Sequence, residues 1–311
     1  MRLGFCHLCL FFVAISYALD EVSASKIAIV NTTTVKAAAA QADTTKSGDL
    51  DEEVSDIKLR VSSGARSKYS TTLFFHYQGA SLASPMSDKR PNVIGGRNAE
   101  PVYTSGDVYL RYRQNKNESY YFATGYYRER PFHSREADER IRIDNPSLGY
   151  NHTFAANDLQ ISSGFRLYIS TADYLRAIGQ VGTLGYSLST INQLGASRFN
   201  AGVSLLLTAS AYDSNDEKMK QRQSDYGVSL TPTLQYNKTG RVNAFTSLYL
   251  FNYSHYRSDN TFNFDRRKIT QSIGVGVAVI RDFYLAPNIS FNPQHISTNM
   301  TAVNLNAYVN L

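Results

Sequence analysis

"TAVNLNAYVNL", residues 301–311, is the stretch on which the fold turns. Every second residue is apolar: Val303, Leu305, Ala307, Val309 and Leu311. Between them stand Asn304, Asn306, Tyr308 and Asn310. A period of two marks a β-strand with one apolar face and one wet face. Chain ends are ordinarily frayed and polar. This one has the regularity of a strand that is held on both edges.

The same alternation recurs upstream in eleven further segments. Leu73 and Phe75 stand on the apolar face of "KYSTTLFFHYQ", and Val108, Leu110 and Tyr112 on that of "DVYLRYRQ". "LQISSGFRLYIS" carries Leu159, Ile161, Phe165, Leu167 and Ile169. "FNAGVSLLLTASAY" carries Phe199, Val203, Leu205 and Leu207, and "QSIGVGVAVI" carries Ile273, Val275, Val277 and Val279. "SYYFATGYYRER" has aromatics on both faces. "VNAFTSLYLFNYSHY" reads as one strand, aromatic on one side and aliphatic on the other.

The connections alternate in length. "NKNE", "FAAND", "INQLGAS", "NKTG" and "RD" are short, whereas 79–105, 131–140, 171–181, 213–224 and 257–267 are long and mostly polar. Strands of about 9–11 residues with short turns at one end and long loops at the other are the pattern of a transmembrane β-barrel. A soluble sandwich would show turn signals every 8–12 residues or so. In lipid every backbone N–H and C=O needs a partner, so such a sheet must close, and its last strand must pair with its first.

Composition agrees. The chain has 22 Tyr, 16 Phe, no Trp and a negative mean hydropathy. After the N-terminus no apolar run approaches the roughly 20 residues of a membrane helix. "MRLGFCHLCLFFVAISYA" has a basic start, an apolar run and small residues before Ala18, the pattern of a secretory signal peptide, 1–18. Cys6 and Cys9 both fall inside it, so the mature chain is expected to have no disulfide. Residues 19–66 are small, polar and locally acidic, and are read as a flexible periplasmic segment. Within them "DIKLRVSS" alternates Ile57, Leu59 and Val61, which reads as a short extra strand or the foot of the first long one. The whole chain carries +6; Arg2 in 1–18 supplies +1, and 19–66 holds eight acidic and six basic residues, so 67–311 carries +7.

Together these features resemble the bacterial outer-membrane β-barrel proteins: the signal, the alternation over 67–311, the loop asymmetry and the C-terminal strand. The resemblance is to an architecture, not to one family. Such proteins usually end in Phe or Trp, and this sequence ends in Leu311. It implies an all-β, antiparallel up-and-down barrel of about twelve strands, integral to the outer membrane. Outer-membrane lipid, lipopolysaccharide and the barrel-assembly machinery are its expected partners, and small solutes are candidate ones. Nucleic acid is not expected.

Opposite the apolar faces lies the expected lumen. The pore-lining candidates are Arg111, Arg113, Arg128, Arg166, Tyr168, Gln235, Asn304 and Asn306, with Asp107 and Glu129 as the inward acids. A polar lumen rich in arginine attracts anions and repels cations. The expected function is a small, weakly anion-preferring passive pore for small solutes; the alternative is a non-conducting structural or surface-interaction barrel. A more distant alternative is a lipid-modifying enzyme. His295-Ile296-Ser297 would place a base and a nucleophile on one lipid-facing strand face, as is similar to outer-membrane phospholipase A. That family's Asn is missing where Ala307 stands, and Pro293 interrupts the segment. No catalytic residue is assigned. His76, His133, His152 and His255 show no metal-ligand spacing, and no cofactor or metal is expected. The basic loop "FDRRKI" (264–269) could meet anionic headgroups.

Overall fold

The computed structural model describes residues 54–91, 93, 101–132, 141–213, 217–258, 265–266 and 269–311. The expected signal peptide, most of 19–66 and half of "FDRRKI" lie outside them.

Fifteen hydrogen-bonded segments form one antiparallel sheet. Three of its strands are each divided in two, which leaves twelve. They are β1 (Tyr69–Ser81), β2 (Tyr103–Arg113), β3 (Glu118–Glu129), β4 (Ile141–Ile143 and Ser147–Ala156), β5 (Leu159–Ile169) and β6 (Gln180–Gln193). Then come β7 (Phe199–Tyr212), β8 (Ser224–Asn237), β9 (Val242–Tyr249 and Phe251–Tyr256), β10 (Asp265–Arg266 and Thr270–Ile280), β11 (Phe283–Phe291) and β12 (Ala302–Asn310). Each pairs with its neighbour in sequence, and β12 pairs with β1. The barrel is closed, as the outer-membrane reading requires.

The seam shows why "TAVNLNAYVNL" is so regular. Leu73, Phe75 and Tyr77 face Val309, Ala307 and Leu305 across it on the outside. Phe74, His76 and Gln78 face Tyr308, Asn306 and Asn304 on the inside. A slip of one residue would turn every one of these side chains to the wrong face. Leu110, Leu148, Leu184, Ile273 and Val275 point outward and are exposed, as an apolar belt toward lipid must be. Near the short-turn end the belt is edged by outward ring pairs, Tyr69–Tyr112 at 5.5 Å and Tyr120–Tyr150 at 5.2 Å. Inside, hydroxyl pairs tie neighbouring strands: Ser272–Ser290, Thr233–Ser247, Ser189–Ser204 and Thr153–Ser162, at 2.7–3.0 Å.

Two local expectations are corrected. Strand β9 does not keep one face throughout. Ser247 pairs with Thr233 but Phe251 with Leu230, so four residues of β9 oppose three of β8. The extra residue is a β-bulge, and it exchanges the faces. Below it Phe245 and Tyr249 line the interior; above it Ser254 faces the inward Gly227. The second correction concerns "DIKLRVSS". Ile57–Ser62 is a helix, α1, not a strand. Asp56 caps it, its carboxylate accepting the Leu59 N–H at 2.8 Å, as N-cap residues do. Ile57 and Val61, four apart, fall on one helical face and are buried.

Candidate functional site: the barrel lumen

Helix α1 lies inside the barrel, toward its short-turn end. Its apolar face packs on Ala278 of β10 and on Tyr284 and Ala286 of β11, with Phe245 and Tyr308 alongside. Gly276 makes this possible. A Cβ there would stand 2.0 Å from the Tyr284 hydroxyl, so only glycine lets that ring lie across β10. On the far wall Gln160 of β5 accepts the Asp56 N–H at 2.7 Å and donates to Ser55 Oγ at 2.9 Å. In a ring of twelve, β5 and β11 are opposite staves. Residues 55–62 therefore cross the lumen.

Arginines hold the segment as it leaves. Arg111 donates to the Ser62 carbonyl at 3.2 Å and to Ser119 Oγ at 3.0 Å. Its guanidinium sits between the rings of Tyr109 and Tyr121, at 5.8 and 5.5 Å. Arg113 donates to the carbonyls of Ser63, Ala65 and Lys116 at 2.8–3.1 Å. Asn310 adds a bond to the Val61 carbonyl at 2.9 Å. Gly64, at φ +94°, turns the chain under Arg111 in a backbone region that L side chains rarely adopt.

The other candidates are distributed as follows. Arg166 and Tyr168 face the lumen. Arg166 is braced on all sides: Nη2 lies 2.8 Å from Asp107 Oδ1, Nη1 3.2 Å from the Tyr109 hydroxyl and Nε 2.9 Å from Ser147 Oγ. The Tyr168 ring stacks 4.4 Å from it. Its charge is answered by Asp107 across the lumen wall. Glu129 pairs with Arg142. Gln235, Asn304 and Asn306 line open space. Arg128 is placed differently from the rest. The register sets it opposite Thr104 and Ile141, on the strand parity of the outward Tyr120 and Phe122. His295 and Ser297 are exposed in the β11–β12 loop, where Asn292 and Pro293 have already ended the strand. They therefore do not share a lipid-facing strand face.

Space remains on both sides of α1. A cavity of about 450 Å³ lies against β1 and β8–β12. A second, of about 300 Å³, lies against the hydroxyl-rich wall of β5–β8, including Ser162, Ser187 and Ser204. Lys58, Gln235, Thr233 and Tyr308 line both. A third space, of about 380 Å³, sits nearer the loops, beneath Leu175 and Ile178. Sequence reasoning missed Lys58, Arg90, Phe245 and Tyr284 here. Arg90 belongs to a loop without alternation, and Lys58 to a segment that reads as a short strand rather than as a helix inside the lumen. The two rings face inward, where a strand pattern is expected to be polar.

Neither a described protein family nor a curated protein matches the sequence. Solved structures do match the fold. The COG4313 outer membrane channel from Pseudomonas putida F1 superposes with a TM-score of 0.53 at 10% identity, over 80% of this chain and 97% of that one. The KdgM porin in complex with oligogalacturonate overlaps more loosely, at a TM-score of 0.42 and 8% identity over 76% and 98% of the two chains. The NanC porin does likewise, at 0.42 and 6% over 77% and 98%. The chain has the fold of the bacterial outer-membrane β-barrels, and its architecture is that of an integral outer-membrane protein.

Proposed function

We propose that this barrel is a passive pore for small solutes, with a weak preference for anions, and that it is not an enzyme. The observation that carries the reading is the pair of cavities flanking α1. A barrel built as a solid strut would fill its lumen with side chains, as eight-stranded barrels do. This one keeps open space on each side of the segment that crosses it.

The sign of the selectivity follows from what faces that space. The larger cavity is lined by two cationic side chains, Lys58 and Arg90. Low-dielectric walls focus such a field. Arg166 contributes less than its position suggests, because Asp107 lies 2.8 Å away. Purified protein in planar bilayers is expected to give small conductance steps with a reversal potential on the anion side. Conductance with cation preference would overturn the sign and leave the pore.

A second reading has its own observation. Arg111, Arg113, Gln160 and Asn310 all bond the crossing segment, and so many ties favour a non-conducting barrel. Absence of any conductance, from protein that migrates as a folded barrel on an unheated gel, would establish that reading.

A further inference from the structure

We propose that the smaller cavity beside α1 is a binding site for a neutral polyhydroxylated solute of the size of one pyranose ring. The proposal rests on the pore reading for its biological use, and it concerns the uncharged side of the lumen.

That side is the wall of β6, β7 and β8. Register sets Ser189, Ser204 and Thr231 in one inward row and Ser187, Leu206 and Ser229 in the next. None of them is charged. A serine or threonine hydroxyl is one donor and two acceptor sites, and it turns to suit its partner. Such a wall favours neither sign of charge. It suits solute groups that donate and accept at once, and those are hydroxyls. Ser187 is the position most open to a solute. It lines the cavity and is exposed to the lumen, and its hydroxyl makes no hydrogen bond with the described residues. Beside it Ser189 and Ser204 share one bond at 2.9 Å, which leaves one O–H and further lone pairs of the pair unused. In the larger cavity the hydroxyls are taken up by one another, Thr233 by Ser247 and Ser272 by Ser290.

The opposite side is aromatic. Tyr109 of β2, Tyr121 of β3 and Tyr308 of β12 line the same cavity, and Tyr109 and Tyr121 meet edge to face at 5.3 Å. In a ring of twelve, β12 faces β6 and β2 faces β8. A solute held there has rings on one side and hydroxyls on the other. A pyranose is built to match, with a C–H face and a rim of hydroxyls. About 300 Å³ is at the small end of small-molecule sites, roughly 300–1,000 Å³, enough for one such ring.

The charges at this cavity are already answered within it. Arg111 is held by the Ser62 carbonyl, Ser119 and two tyrosine rings. Lys58 lies in the field of Asp56, and Asp56 also takes the Leu59 N–H. A charged solute would have to break one of these pairings, which is costly in a buried site. A neutral one leaves them in place. Solute hydroxyls replace water at Ser187 on nearly even terms, so binding is weak, as passage through a pore requires.

The test is saturation-transfer NMR on the whole folded barrel, in a detergent without a sugar headgroup, titrated with methyl glucoside, glucuronate, serine and cyclohexanol. Methyl glucoside is expected to bind weakly but saturably, and about fivefold more tightly than each of the other three. Ser187→Ala should weaken it about fivefold, the size of one neutral hydrogen bond. Thr208→Ala, beside the third space, should leave it unchanged. Migration of the unheated protein on a detergent gel shows that each variant is folded. No saturable binding by a folded barrel overturns the site. Equal or tighter binding of glucuronate overturns the neutral class, and the same result with serine overturns it in favour of the Asp56–Lys58 pair. Equal binding of cyclohexanol overturns recognition by hydroxyls. Weakening by Thr208→Ala and not by Ser187→Ala overturns the place. Swelling of proteoliposomes in methyl glucoside reads the pore separately. Swelling without binding leaves the pore and removes the site; binding without swelling leaves the site and removes the pore.

Discussion

Truncating Ile57 and Val61 to alanine together should open the lumen without opening the barrel. Both side chains are almost fully buried, against Ala278, Tyr284 and Ala286. The double change removes five buried carbon groups, three from isoleucine and two from valine. At about 0.8 kcal/mol for each, the loss is about 4 kcal/mol. Each 1.4 kcal/mol or so is a factor of ten, so the ratio of docked to released α1 falls about a thousandfold. None of the strand pairings involves these residues, so the sheet should survive. Two assays on one preparation read the outcome. Hydrogen exchange of the amides of residues 57–62 should accelerate by about that factor, and single-channel recordings should show larger or more frequent openings. If exchange accelerates while conductance stays the same, α1 does not restrict the path. If exchange is unmoved, the arginine and amide ties hold the segment without help from its apolar face.

Other expected outcomes follow from single contacts. Asp107→Asn leaves the Arg166 guanidinium in a largely buried site without its carboxylate, and should lower unfolding stability by about 3–5 kcal/mol in a urea titration; pairing it with Arg166→Gln should recover part of the loss. Lys58→Gln should move the reversal potential toward cations, and the difference from the parent should fade from 0.1 M to 1 M salt as the Debye length falls from about 10 Å to about 3 Å. Arg128→Gln should leave the reversal potential where it was, because its strand parity is outward. Gly276→Val drives a side chain into the Tyr284 ring, so α1 should lose protection from exchange while the barrel still migrates as folded.

The barrel itself was legible because lipid on one side and a polar interior on the other impose a period of two on every stave. Leu110, Phe165 and Ile273 could be placed by counting alone. Where other physics intervened, counting failed. The bulge in β9 adds one residue, and alternation carries no mark of an added residue once aromatics occupy both faces. Ile57, Leu59 and Val61 satisfy a period of two, while Ile57 and Val61 also satisfy the helical spacing. Over so few residues the choice fell to the Asp56 cap and to Tyr284, a contact more than 220 positions away. The lumen arginines were found as inward charges, but their partners were not legible. That Arg166 meets Asp107, and that Arg111 and Arg113 hold backbone carbonyls of 62–65, depends on staves brought together by closure.

The crossing segment also constrains the order in which the molecule can be assembled. Asn310 bonds Thr72 across the seam at 2.8 Å and the Val61 carbonyl at 2.9 Å. One side chain of the last strand therefore engages the first strand and the interior segment at once. The residues it joins are separated by 238 and 249 positions, and such remote contacts form late. Once β12 has zipped onto β1, α1 is enclosed by a wall and can leave only through an end. The chain must then draw its own N-terminal segment inside while the wall is still an open sheet, or thread it in from the turn end afterwards. The two routes differ in a measurable way. On the first, Val61→Ala slows the final closing of the barrel; on the second, it leaves closing unchanged and alters only a later phase.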